Sequence, residues 1–370
     1  MRRLTVVQLL PELDSGGVER STLEVADALE RAGHRSIVIS GGGRLTADLR
    51  RGGSRHIELG IGRKSLFVLR QVFALRQVFA RLKPDIVHAR SRLPAWLAWA
   101  ALKTMPRTRA RFVTTVHGLN SRGRYSSILT RGERVICVSD TVRRHVLSHW
   151  PATDPAKLQV IERGVDPADF PRDLQPTEEW RERWRKQFPQ LGGGPLLLLP
   201  GRGTRLKGHA WALRLLAALR EEGVDARLCL LGVRETGRGH YCVELETLAQ
   251  SLGVSDAIAL LPPRSDIAEI YAVSDIVLQL SEKPEAFGRT VLEALASGRP
   301  VLGWNHGGVG ELLARHYPAG AVKAFDEEAL VRTAREWLSG KKPEVPLMRE
   351  DSLARMQAST LELYDALVAS

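Results

Sequence analysis

Long apolar runs are missing from this sequence. Stretches such as residues 93–102 fall far short of the ~20 residues that cross a bilayer, which argues against a membrane-spanning helix. The opening Met-Arg-Arg-Leu-Thr-Val-Val-Gln-Leu-Leu has the look of a weak signal peptide, but Glu12 and Asp14 end its apolar part and no small-residue cleavage site follows. A buried first strand is expected instead. Cysteine is scarce: Cys137, Cys229 and Cys242 are too few and too scattered for a disulfide framework or a zinc site. Cys137 and Cys229 sit in apolar runs and read as small core residues of a cytoplasmic protein. There is no Asp-x-Asp at a strand end, and the ten histidines show no ligand spacing, so no metal site is expected.

Acidic residues are also short in one half. Residues 1–165 carry 29 Lys and Arg against 13 Asp and Glu, a balance of +16, whereas the remaining 25 and 29 give −4. Such asymmetry points the first half toward something anionic: a membrane, a nucleic acid or a phosphorylated substrate. At 370 residues and 44% apolar content, the chain is long enough for two globular domains.

What is present is an alternation of short apolar strands and helical stretches. Strands are predicted over residues 4–10, 36–40, 85–88, 112–117 and 134–139, with a helix over 18–32 closed by Gly33. Pro167, Pro171 and Pro176 interrupt the pattern, and a charged helix follows over 178–187. A second strand series then runs over 196–200, 227–231, 258–261, 276–280 and 300–303. Strand–helix–strand order implies parallel sheets. The predicted organisation is an N-terminal α/β domain over 1–165, a second over 166–345, and a segment over 346–370 that carries a helix over 352–368. Leu-Arg-Gln-Val-Phe-Ala occurs twice in tandem over 69–80, too short for a solenoid repeat and read as a lengthened amphipathic helix.

Two segments carry chemistry. Gly201-Arg202-Gly203-Thr204-Arg205-Leu206-Lys207-Gly208 follows a strand directly, at the sheet edge where doubly wound folds bind ligands. It is neither a Walker loop nor a dinucleotide fingerprint, and spacing alone leaves a ligand loop and a solvated surface loop equally open. In the second, a loop bearing Glu285 leads into a helix near Gly288 or Arg289, whose start is an anion site by its unpaired N–H groups. Glu285 and Glu293 are about 80° apart on an ideal helix, so loop and second turn can address two parts of one ligand. The plain alternative is a capped surface helix with two solvated acids.

Glu285-x7-Glu293, followed by Ala-x-Ala-Ser-Gly-x-Pro-Val, resembles the signature of the retaining family 4 glycosyltransferases. Other elements occur in the family's order: Ser15-Gly16-Gly17-Val18-Glu19-Arg20 resembles its first glycine loop, Thr115-Val116-His117-Gly118 its histidine motif, and Gly201 to Gly208 its phosphate loop. Gly307-Gly308-Val309-Gly310-Glu311 is similar to its Gly-Gly-x-x-Glu turn. Arg163-Gly164-Val165-Asp166 resembles the interdomain hinge, with Arg163 where Asn is common, which leaves the role of Arg163 open. The resemblance covers about residues 4–367. It implies the GT-B fold, two Rossmann-like doubly wound domains facing a central cleft, with the C-terminal helix packing back on the N-terminal domain.

By the same resemblance, Arg202 and Lys207 hold the donor diphosphate, Glu293 binds the ribose hydroxyls, and Glu285 supports the sugar and its oxocarbenium-like transition state. Gly16 and Gly17 admit the phosphates. His117 hydrogen-bonds a sugar hydroxyl at the reacting centre. Phe287, Gly288, Arg289 and Thr290 complete the donor site, and Glu311 orders the neighbouring loop. No cofactor is implied beyond the nucleotide sugar, with UDP favoured over GDP, and the base is expected near residues 262–267.

The implied activity is a retaining hexosyltransferase acting on a lipid-linked or phosphorylated glycan, in lipopolysaccharide core or other surface-polysaccharide synthesis. Arg122 and Arg124, flanking Gly123, are candidate acceptor contacts. The run from Arg90 and Arg92 to Trp96 and Trp99 mixes cations and aromatics as an interface does. On an ideal helix Arg63, Arg70 and Arg81 fall within about 20°, a face suited to an anionic membrane, while Phe67, Val72, Phe79 and Leu82 lie elsewhere on it. A peripheral protein of the inner membrane face is therefore expected. Nucleic-acid binding lacks an accompanying motif. A non-catalytic relative or a GT-B epimerase are the other readings.

Overall fold

The computed structural model describes residues 2–14, 16–62, 66–105, 108–235, 237, 239–348 and 352–369. Two compact units emerge: Met1–Gly164 together with Ser352–Ser370, and Val165–Asp351.

The first unit runs β1 (Thr5–Leu9), α1 (Gly17–Arg31), β2 (Arg35–Ser40), α2 (Thr46–Arg51), β3 (Arg55–Glu58), α3 (Arg70–Leu82), β4 (Ile86–Ala89), α4 (Arg92–Lys103), β5 (Arg111–Val116), β6 (Arg134–Cys137), α5 (Asp140–His149) and β7 (Leu158–Val160). The second runs α6 (Glu178–Gln187), β8 (Leu196–Pro200), α7 (His209–Glu221), β9 (Arg227–Leu231), α8 (Gly239–Ser251), β10 (Ile258–Leu261), α9 (Ile267–Ala272), β11 (Ile276–Gln279), α10 (Arg289–Ala296), β12 (Val301–Trp304), α11 (Gly307–His316), β13 (Ala321–Val322) and α12 (Glu327–Glu336). The last helix, α13 (Ser352–Ala369), belongs to the first unit.

The first sheet has the order β3-β2-β1-β4-β5-β6-β7 and the second β10-β9-β8-β11-β12-β13. Every strand pair is parallel; Val6, for example, lies beside Ser36 on one side and Ile86 on the other. Central strands covered on both faces need near-continuous apolar sequence, which is what Leu-Leu-Leu-Leu-Pro in β8 supplies. In both sheets the strand order reverses beside the first strand, between β1 and β4 and between β8 and β11. Each unit is thus the doubly wound, Rossmann-like α/β architecture the sequence implies.

α13 buries Met356, Leu363, Tyr364 and Leu367 in the core formed by Leu4, Val6, Val25 and Leu29. Arg31 donates to Gln357 at 2.7 Å, and Gln357 donates to the carbonyl of Glu24 at 2.8 Å, tying α13 to α1. The expected third segment began at 346; here the first unit resumes at Ser352. Arg172 donates to the carbonyls of Val345 and Pro346 at 2.5 and 3.1 Å, which fastens that stretch to the second unit. The repeat over 69–80 does form a helix, α3, entered through a 3-10 turn over Leu66–Leu69. All three cysteines are buried and unpaired, and burial pushes the Cys137 and Cys229 thiols up to about 12. Among the described residues no helix is long and apolar enough to cross a membrane.

Candidate functional site

In the second unit, β8 and β11 are neighbours at the point where strand order reverses, and open α/β sheets bind ligands at such crevices. The loops leaving their carboxyl ends are pressed together by Gly208. Its φ is +75°, and a Cβ there would lie 1.8 Å from the carbonyl oxygen of Leu280. The amide of Glu282 donates to the Leu206 carbonyl at 2.9 Å, closing the same junction. Consequently Lys207 Nζ sits 2.7 Å from Glu285 Oε1, both side chains being mostly buried, and Ser281 Oγ donates to the same carboxylate oxygen. Arg202, on the same loop, is exposed, and its guanidinium has no ion-pair partner among the described residues.

Gly307 and Gly308 shape the loop that carries Glu285. A Cβ on Gly307 would come within 2.8 Å of Glu285 backbone, and one on Gly308 within 2.4 Å of the Phe287 carbonyl. The Gly308 amide donates to the Glu285 carbonyl at 2.8 Å. Phe287 is buried beneath the loop, and α10 begins at Arg289 after Gly288 with no side chain capping it. Thr290 accepts from Gln279. On the second turn, Glu293 points inward at 7% exposure. Tyr271 donates to its Oε2 at 3.1 Å and Arg289 to its Oε1 at 3.1 Å. Burial and the Glu293 charge push the Tyr271 hydroxyl well above its ordinary range, so it stays a donor. Neither acid is a freely solvated surface carboxylate.

The loop after β10 is braced as well. Arg264 makes two bonds to Asp266, at 2.8 and 2.7 Å, and Trp180 donates to Asp266 at 2.8 Å. The Arg264 hydrogen bond holds the Asp266 carboxyl below its usual range. Trp180 and Trp184, stacked 5.2 Å apart, lie on α6, which opens with Thr177 accepting from the Trp180 amide.

In the first unit the carboxyl edge of the sheet carries Gly16 and Gly17 after β1, Arg90 after β4, His117 after β5 and Arg163 after β7. His117 Nδ1 and Arg163 Nη2 are 2.7 Å apart. A Cβ on Gly17 would lie 2.1 Å from Arg163 Nη1, so glycine there makes room for the guanidinium. Burial, then the positive charges of Arg163 and Arg90 and the neighbouring His88, lower the His117 imidazole well below its ordinary value. His117 is therefore neutral at neutral pH, and its Nε2 has no hydrogen-bond partner among the described residues.

Arg90 corrects an expectation. Rather than an interface cation it is buried, donating to Gln8 at 2.8 Å and to Ser21 at 3.1 Å. Its amide bonds the Leu9 carbonyl at 2.9 Å, which continues the β1–β4 pairing one residue past Ala89. Beneath it, His88 bridges Tyr364 and Thr115 at 2.6 Å each, and burial holds its imidazole neutral. Trp96 and Trp99 are instead covered by Arg131, 5.5 and 4.8 Å from their ring centres, and Arg92 lies 5.2 Å from the Tyr125 ring. Arg122 and Arg124 are exposed in the loop between. Arg63 and the Phe67 side chain lie outside the described residues, as does Ser15. On α3, Arg70, Phe73 and Arg81 are exposed, as is Leu69 just before the helix, whereas Phe79 and Leu82 pack inward.

Sequence reasoning missed Tyr271, Ser281 and His88. No local pattern marks them, because each meets its partner only through the fold. Among the described residues, no three His, Cys, Asp or Glu side chains converge as a metal site.

Two Rossmann-like units with such loops at their carboxyl edges define the GT-B class of glycosyltransferase fold. The chain belongs to this family: residues 15–169 match Glycosyltransferase Family 4, and residues 180–350 match Glycosyl transferases group 1. A glycosyltransferase from Rickettsia africae ESF-5 is 31% identical, with a TM-score of 0.85 over 100% of this chain and 99% of that one. The D-inositol 3-phosphate glycosyltransferase of Actinosynnema mirum is 33% identical over 228 residues, 58% of this chain. That alignment spans about half of the relative's length, 53%. The Anabaena protein HepE, solved in complex with UDP and glucose, shares the fold at 18% identity, with a TM-score of 0.78 covering 98% of this chain and 100% of that one.

Proposed function

We propose that this protein is a retaining hexosyltransferase that moves a sugar from a UDP-sugar to a phosphorylated acceptor. One observation carries the reading: the contact of Lys207 with Glu285 where the second sheet's strand order reverses, beside the uncapped start of α10, with Glu293 anchored behind it. A cation, a carboxylate and a helix start that no side chain caps are what a nucleotide diphosphate-sugar needs on its phosphate and sugar sides. As the donor C1–O bond breaks, negative charge accumulates on the leaving diphosphate, where Arg202 and Lys207 neutralise it. Glu285 supports positive charge on the sugar ring, and Glu293, fixed by Arg289 and Tyr271, takes the ribose hydroxyls. His117 donates to a sugar hydroxyl. The HepE complex supports uridine as the base, and the resemblance of Glu285-x7-Glu293 to the signature of a retaining family supports retention.

Arg122 and Arg124 fit an anionic acceptor, and the inositol 3-phosphate of the relative's name supports a phosphorylated one. A lipid-linked surface glycan is the other acceptor of the same chemistry. Incubation with UDP-hexoses and either acceptor, read by the anomeric proton signals of the product, tests the assignment. A product with the donor's anomeric configuration is expected; inversion, or conversion of the donor to its epimer without acceptor, contradicts it. Activity is expected to survive EDTA, because Arg202 and Lys207 supply the charge a divalent ion supplies elsewhere. Loss in EDTA with recovery in Mg²⁺ would overturn that part.

The same reading places the protein at an anionic membrane through Arg70, Arg81, Leu69 and Phe73, the last two 69% and 64% exposed. Each cation near such a surface contributes about 1 kcal/mol, so several act together and salt weakens them. Co-sedimentation with phosphatidylserine vesicles is expected at low salt, with loss at high salt and in Arg70→Glu/Arg81→Glu. Absence of binding at low salt contradicts membrane docking and favours the soluble acceptor.

A further inference from the structure

We infer that Arg163 is a positioning residue that fixes the tautomer of His117, leaving the imidazole Nε2 as the proton-bearing nitrogen. Arginine has no acceptor, so the 2.7 Å contact between Arg163 Nη2 and His117 Nδ1 has one polarity: Arg163 donates and Nδ1 accepts. A ring nitrogen that accepts carries no proton, and the hydrogen bond at one nitrogen decides the state of the other. In the neutral imidazole the proton then sits on Nε2.

Four further observations support the assignment. Arg163 is 9% exposed, so its guanidinium is held rather than swept through solvent. Gly17 leaves the space that Arg163 Nη1 occupies, since a Cβ there would stand 2.1 Å away, and this couples the first glycine loop to the imidazole. Nε2 is buried and has no partner among the described residues, so its N–H is the ring's one hydrogen-bonding group that the fold leaves unsatisfied. The cations around the ring, Arg163 and Arg90, with buried His88, oppose a second proton and keep the imidazole in the neutral form in which a tautomer has meaning.

The inference goes beyond the proposed function, which uses His117 as a donor without saying what sets its proton. A neutral His117 protonated on Nδ1 would present a lone pair to the sugar instead of an N–H. Arg163 therefore selects which kind of hydroxyl contact this site makes, donor or acceptor.

The test is long-range ¹H–¹⁵N spectroscopy of the full chain labelled with ¹⁵N-histidine, at neutral pH and without ligand. Wild type is expected to show His117 with a protonated Nε2 and an acceptor-type Nδ1. Arg163→Met is expected to move both nitrogens toward the values of a mixed tautomer population. Arg163→Gln, which keeps an N–H donor, is expected to retain the wild-type pattern, and Gly17→Ala, which displaces the guanidinium, to reproduce Arg163→Met in part. In transfer assays Arg163→Met should lower kcat about 10- to 100-fold with little change in donor KM, as loss of an orienting partner does, and Arg163→Gln should recover most of it. Should Arg163→Met not fold, Gly17→Ala and Arg163→Gln carry the comparison. A wild-type spectrum with the proton on Nδ1, or one unchanged by Arg163→Met or Gly17→Ala, overturns the inference. The spectra need no substrate, so absence of transfer in wild type counts against the proposed function alone.

Discussion

Glu285→Ala is expected to lower kcat by about 10²- to 10³-fold while donor KM changes little, the signature of an interaction made chiefly in the transition state. The carboxylate is pre-placed for this by Lys207 and Ser281, and the loop beneath it is fixed by Gly307 and Gly308. Glu293→Ala should behave differently. On the proposed reading Glu293 would hold a ribose equally in ground and transition states, so donor KM should rise strongly with a smaller effect on kcat. It also leaves Arg289 and the Tyr271 hydroxyl without their buried acceptor, for which a loss of stability of about 1–3 kcal/mol is expected. Steady-state kinetics with parallel thermal denaturation separates the two residues. Equal, near-normal turnover in both variants contradicts the donor-site reading of this segment.

Gly208→Ala should be among the most destabilising single substitutions in the second unit. The position combines φ of +75° with a Cβ 1.8 Å from the Leu280 carbonyl, so strain and collision add. A loss of about 3–5 kcal/mol is expected, and in a unit of this size that lowers Tm by roughly 10 °C. Gly223→Ala is the control. Gly223 has φ of +84° with nothing within 4 Å of an added Cβ, so it carries the conformational cost alone, about 1–2 kcal/mol. Equal Tm shifts for the two variants contradict the claim that backbone contact at Gly208 joins the two loops. Because Lys207 precedes Gly208, Gly208→Ala should also separate Lys207 from Glu285.

The central strands of both sheets were legible in the sequence because burial on both faces demands unbroken apolar runs. The strands missed, β3, β7 and β13, lie at sheet edges and are short: Arg-His-Ile-Glu, Leu-Gln-Val and Ala-Val carry no periodicity to detect. Lys207, Glu285 and Glu293 stood out through the resemblance of their motifs to the family's, spacing alone leaving them open, yet their pairing did not, because Lys207 and Glu285 are 78 positions apart and meet only when β8 and β11 are neighbours. Tyr271, 22 positions before Glu293, gave no signal for the same reason. Arg90 misled because a cation before Arg92 and two tryptophans looks exposed in sequence, while its neighbours Gln8 and Ser21 come from β1 and α1. Arg163 was visible only as a departure from the family's usual Asn; its meaning came from the position of His117, 46 residues earlier.

The central claim is that Lys207 and Glu293 bind a nucleotide diphosphate without a metal ion. Calorimetric titration of UDP in EDTA tests it most directly, with wild type, Lys207→Ala, Glu293→Gln and Arg122→Ala/Arg124→Ala compared. Removing a charge-assisted hydrogen bond is worth about 1.5–3 kcal/mol, so Lys207→Ala and Glu293→Gln are each expected to weaken UDP about tenfold or more, while the acceptor-loop variant binds as wild type does. No UDP binding by wild type in EDTA, or undiminished binding by both Lys207→Ala and Glu293→Gln, would contradict the account.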